Sequence, residues 1–126
     1  MIMKSIFKNL TSGPNISIAA AIKKINKNGK KSLLIKDKKN KLLGVLTDGD
    51  LRHAISKNLN LNNKITNLYN KKPFFVFEKD TSYSKIKLTL IRKKIFILPV
   101  LNKKNEIVDV YFLENLLKKK KINKSR

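Results

Sequence analysis

The chain has no cysteine, so it carries neither a disulfide framework nor thiolate chemistry. Its single histidine, His53, is too little for a metal cluster of the usual His/Cys kind. No apolar run approaches the roughly 18 residues that a membrane span needs. The opening MIMKSIFKNL has a short apolar run and no small-residue cleavage site, unlike a secretory leader. These absences lead to an expected cytoplasmic location without membrane contact. Acidic residues are also scarce. Eight of them face 30 lysines and arginines, for a formal net charge of +22.

A charge of that size points to nucleic acid or acidic lipid when taken alone. The composition argues against a dedicated polyanion surface. Arginine occurs only at positions 52, 92 and 126, and the remaining positive charge is lysine spread along the chain among abundant Asn and Ile. That mixture is the drift expected of an AT-rich genome. Nucleic acid is therefore an unfavoured partner, although any phosphorylated small molecule would be attracted. The 126 residues suit one domain, and a 41% apolar content can fill a core.

The chain resembles itself. Shifted by 65 residues, Ser17 falls on Ser82, Lys38-Lys39-Asn40 on Lys103-Lys104-Asn105, Val45 on Val110 and Leu51 on Leu116. Each half shows the same order of elements. Ile18, Ala21, Ile22 and Ile25 form a helical stripe between a plausible N-cap, Ser17, and a stop, Gly29. Two apolar runs, Ser32–Ile35 and Leu42–Leu46, flank the polar turn Asp37–Lys41 and read as a hairpin. Leu51, Ala54 and Ile55 place a second helix from about Asp48. The second half repeats this with a helix over Ile86, Leu90 and Ile91, strands Ile95–Leu101 and Ile107–Phe112, and a final helix from Leu113. Pro73–Phe77 is a strand-like lead into it. Neither half can cover its own sheet, so two copies packed face to face are expected, with clefts between them.

The stretch GVLTDGDLRHAI (44–55) admits three readings. Asp48-Gly49 could turn a hairpin, but the helical spacing of Leu51, Ala54 and Ile55 disfavours it. Thr47 and Asp50 could form a capping box. The same helix N-terminus could also hold a phosphate on its backbone N–H groups and positive dipole end. Thr47 would then donate its hydroxyl, Asp50 would accept from a ribose diol, Gly49 would allow close approach, and Asp48 and Arg52 would flank the site.

With strand-GVLTDGDLR-helix inside a tandem repeat, the chain resembles the cystathionine-β-synthase-type (CBS) domain pair, or Bateman module. Gly44, Thr47 and Asp50 match the family's G-h-h-T/S-x-x-D motif. The resemblance implies an α/β (α+β) domain of two pseudo-twofold βαββα-type repeats, at residues 8–57 and 73–118, with a linker at 58–72 and a Lys-rich tail at 119–126. It also implies a regulatory module without catalytic residues or metal, which binds AMP, ATP or a related adenosyl ligand between its repeats. Ile16, Ile35, Leu46, Leu98 and Val100 are candidate adenine walls. In the second repeat Asp109, Phe112 and Asn115 replace the motif residues, so one competent site at most is expected. A homodimer is expected through helical faces such as Leu51–Ile55 and Leu113–Leu117. Phe74, Phe75 and Phe77 suit core or dimer-interface packing better than base stacking.

The narrower form TDGDLR is similar to CBS pairs attached to sugar-phosphate enzymes. The chain enters its first repeat almost at once and ends in KKKKINKSR, which suits a linker cut short. This favours a fragment ahead of a sugar-phosphate nucleotidyltransferase. The alternatives are the CBS pair of a sugar-phosphate isomerase, a basic nucleic-acid-binding module, or a purely dimerising one.

Overall fold

A computed structural model describes residues 8–80 and 82–117. Its first unit is built from β1 (Thr11–Ser12), α1 (Ile18–Asn28), β2 (Ser32–Lys36), β3 (Leu42–Thr47) and α2 (Asp48–Ser56). The second is built from β4 (Val76–Phe77), α3 (Tyr83–Arg92), β5 (Ile97–Leu101) and β6 (Ile107–Phe112), followed by a helical segment over 113–117. Each unit has a three-stranded sheet, in the orders β1-β2-β3 and β4-β5-β6. The first pair is parallel and the second antiparallel in both. This is the expected mixed α/β repeat. The Lys-rich tail at 119–126 lies outside the described residues.

Local chemistry explains the element ends. The Ser17 hydroxyl accepts the Ala20 N–H at the start of α1, and Gly29 closes the helix at φ 65°, a left-handed cap that glycine adopts without steric cost. At the first hairpin turn, one Asp37 oxygen accepts the Lys39 and Lys41 amides at 2.8 and 2.9 Å. Asn102, 65 residues later, does the same for Lys104 and Glu106. The amide of Lys41, ahead of that of Lys39, holds the Asp37 carboxyl below its ordinary 3.8. A lowered folded value means stability that is present above 3.8 and lost as pH falls through the folded value. Melts between pH 2 and 5 should show this loss in the wild type and not in Asp37→Asn, which keeps the turn as Asn102 does.

The repeat extends to hydrogen bonds. Ser32 pairs with Thr47 and Ile97 with Phe112, and both hairpins carry a register shift near their turn. The two turns also join each other reciprocally: Leu42 N–H donates to the Asn105 carbonyl and Ile107 N–H to the Asn40 carbonyl. These bonds mark a local pseudo-twofold axis beside the Lys41–Glu106 bridge.

Strand alternation divides the apolar residues among three cores. Leu33, Ile35 and Leu46 face α1 and α2 and pack with Ile18, Ala21, Leu51 and Ile65. Leu98 packs with Ile86, Leu90 and Leu116 in the second unit. Leu34, Ile97, Leu101, Ile107 and Val110 form the layer between the sheets. The linker is less detached than its polar sequence suggests. It forms turns, and it buries Ile65 completely. Its Asn70 exchanges two backbone hydrogen bonds with Val45 on the outer edge of β3, at 2.9 and 3.0 Å.

Candidate functional site

Both chemical roles of Thr47 and Asp50 start from the helix cap. Thr47 Oγ1 accepts the Asp50 N–H at 3.1 Å, and an Asp50 carboxylate oxygen accepts the Thr47 N–H at 2.9 Å. This is the expected capping box, with aspartate in the usual Glu/Gln place. It leaves the hydroxyl proton of Thr47 to be donated elsewhere. The Asp48 N–H donates to the Lys31 carbonyl, so Gly49 supplies the first-turn N–H that neither contact uses. Gly49 is exposed, and a Cβ there would come no closer than 3.7 Å to Thr47 Oγ1. The fold therefore does not require glycine at this helix position.

This helix mouth opens into a cleft of about 510 Å³ between the two units. Thr47, Asp48, Gly49 and Arg52 line it from the first unit, together with Lys31 and Val45. Phe74, Lys93, Lys94, Ile95, Phe96 and Ile97 line it from the second. Four cations thus face one carboxylate, that of Asp48, which pairs with Arg52 at 3.6 Å. Lys93 Nζ lies 5.3 Å from the Phe74 ring centroid, and Lys31 Nζ lies at the same distance from that of Phe96. A larger groove, about 640 Å³, runs past Phe77, Glu78, Asp80 and Glu106. It mixes acids with lysines and contains no residue of the motif, so the smaller cleft is the better candidate.

Four of the five expected site residues at 47–52 line the cleft. Asp50 does not: it sits behind Thr47, half-buried, with one oxygen held by the cap. None of the adenine-wall candidates lines it either. Ile35, Leu46 and Leu98 are completely buried in the cores of the units, Val100 is buried, and Ile16 packs against the first core. The cause is the strand period of two. Leu46 faces its own helices, while its neighbours Val45 and Thr47 face the cleft. The walls that sequence reasoning missed are Phe74 and Phe96, with Ile95 and Ile97. Phe74 and Phe96 are 48% and 46% exposed, which overturns core packing for Phe74. The strand expected over Ile95–Leu101 starts instead at Ile97, which leaves Ile95 and Phe96, the counterparts of Lys30 and Lys31, to line the cleft.

The counterpart of the mouth in the second unit is smaller. Phe112 stands at the Thr47 position, and Lys30 Nζ sits 4.4 Å from its ring centroid. Lys30 also pairs with Glu114. The space left there, lined by Gly29, Lys30, Lys31, Phe96 and Glu114, is about 200 Å³.

The family model for the CBS domain matches residues 3–57. Across both units, the CBS domain pair of protein MJ0100, solved with 5'-methylthioadenosine and S-adenosyl-L-methionine, superposes with a TM-score of 0.79 at 23% identity. It covers 90% of this chain and 89% of that one. This chain folds as a CBS domain pair. A second such pair, the CBS-pair protein CBSX2 of Arabidopsis thaliana in complex with AMP, gives a TM-score of 0.76 at 21% identity, covering 94% and 92% of the chains. A curated but uncharacterized protein of Helicobacter pylori (strain J99) is 29% identical over 104 residues. That match takes in 82% of this chain and 32% of the relative's own length. Among the described residues, no helix is long and apolar enough to cross a membrane, and no group of three His, Cys, Asp or Glu could hold a metal ion.

Proposed function

We propose that this CBS pair is a regulatory sensor that binds an adenosine nucleotide in the cleft between its repeats. The observation that carries the reading is the helix mouth at Thr47–Gly49 opening opposite two exposed phenyl rings, with four cations around it. A phosphate on the Gly49 N–H and the Thr47 hydroxyl would satisfy donors that the fold leaves for it. A purine would find apolar walls in Phe74, Phe96, Ile95 and Ile97. A ribose hydroxyl would reach Asp50 only through the carboxylate oxygen not held by the cap. The complexes of MJ0100 and CBSX2 with adenosyl ligands agree with this choice.

The module would act on an attached enzyme, through a ligand that binds its repeats better in one relative arrangement than in another. The TDGDLR form favours a sugar-phosphate nucleotidyltransferase, and the cytoplasm is the corresponding location. A second copy is a natural partner. The faces expected for it need revision, because Leu51 and Ala54 are buried in their own repeat, as is Leu116. Ile55 and Leu117 of those faces stay exposed, and Leu88 and Ile91 are further exposed apolar side chains on a helix.

Calorimetric titration of AMP, ATP, CMP and sugar nucleotides tests the reading. One saturable site for adenosine nucleotides is expected, weakened in Asp50→Ala. Gly49→Ala should weaken binding while stabilising the helix by about 0.5–1 kcal/mol, because alanine is the better helix former. No heat with any nucleotide would refute the reading. A stoichiometry above one per chain would refute the single mouth.

A further inference from the structure

Left-handed backbone is unfavourable for residues with a side chain, and Asn is among those that tolerate it best. Five non-glycine residues have positive φ among the described residues: Lys31, Asn40, Asn58, Lys94 and Asn105. Three are asparagines in turns. The other two are lysines, and both line the cleft between the repeats. The position of Lys94 is informative because the repeat supplies its own control. Gly29, 65 residues earlier, ends the equivalent helix at φ 65°, and Lys94 follows α3 at φ 54°. One copy keeps glycine at this left-handed position, while the copy that faces the cleft carries an ammonium there. The same chain places asparagine at its other left-handed sites, so a Lys-rich composition does not by itself account for the choice.

From this we infer that the cleft selects a nucleotide by its polyphosphate chain, and that Lys31 and Lys94 are strained positions kept for their charge. The inference rests on the nucleotide reading and narrows it. With Lys93 and Arg52, these residues give four cations against the single carboxylate of Asp48, more than one phosphate needs. Each further phosphate adds charge that the cleft is built to meet, in a site partly shielded from salt. A sulfonium ligand would instead bring a positive charge into a positive cleft.

The test titrates adenosine, AMP, ADP, ATP and S-adenosylmethionine into the 126-residue chain, and into Lys94→Gly and Lys31→Asn. Affinity should rise along the phosphate series, with ATP about tenfold tighter than AMP at roughly 0.1 M salt, and S-adenosylmethionine should be the weakest. Both variants should lose about three- to tenfold in ATP affinity and less in AMP affinity. Their melting temperatures should equal or exceed that of the wild type, because each relieves a left-handed lysine. A merely structural lysine could not produce weaker binding together with an undiminished melting temperature. Equal affinity for AMP and ATP would overturn the polyphosphate inference and leave the nucleotide reading intact. A lower melting temperature in both variants would overturn the claim that the strain is kept for charge. Absence of binding by all five ligands would remove both.

Discussion

Gly44→Ala should cost the fold about 3 kcal/mol and lower the melting temperature by roughly 10–20 °C. A Cβ at this position would sit 2.5 Å from Tyr69 Cδ1 and closer still to the Asn70 carbonyl oxygen. That oxygen cannot step aside cheaply, because it accepts the Val45 N–H while the Asn70 N–H returns a bond to the Val45 carbonyl. Accommodating the methyl group means breaking this pair, each bond worth about 1 kcal/mol net, or lifting the linker off the edge of β3. Gly13→Ala is the control, since a Cβ there meets nothing within 4 Å, and it should stay within about 0.5 kcal/mol of wild type. Thermal or urea unfolding of the two variants makes the comparison. A Gly44→Ala protein as stable as Gly13→Ala would show that the linker does not hold the β3 edge this tightly. The glycine of the motif thus serves the scaffold, one step removed from any ligand.

Thr47→Phe is expected to abolish nucleotide binding, by about 100-fold or more, equivalent to ~2.7 kcal/mol. The substitution copies the second repeat, where Phe112 stands at the position of Thr47. It removes the hydroxyl, sets a ring in the path of a phosphate, and breaks a capping box worth about 1 kcal/mol. Thr47→Ser keeps both cap and donor and should bind within about threefold of wild type. Calorimetry on the two variants, with a melt to show that each is folded, separates a blocked site from a lost fold. Retention of wild-type affinity in Thr47→Phe would place the ligand elsewhere.

The repeat was legible in the sequence because its landmarks depend on local chemistry. Ser17, Gly29, the Asp37 and Asn102 turns and the Thr47–Asp50 cap each act within a few residues of chain, so their spacing survives in the text. The strand β1 was harder to find. Thr11 and Ser12 are two buried polar residues whose strand character comes only from pairing with Leu34 and Ile35. The cleft walls were not legible for a different reason. Leu33, Leu34, Ile35, Val45 and Leu46 are all apolar because both faces of the sheet are covered, one by helices and one by the other repeat. Alternation then cannot say which residues look toward the cleft. Helical spacing likewise identified Leu51, Ala54 and Ile55 as apolar but could not say that the first two are used within their own repeat and only Ile55 is exposed.

The plug formed by Phe112, Lys30 and Glu114 bears on how this protein can respond to concentration. If nucleotide binds only at the Thr47–Gly49 mouth, as proposed, a lone monomer follows a simple hyperbolic curve. Any sigmoidal response would have to come from communication between separate copies or with an attached enzyme.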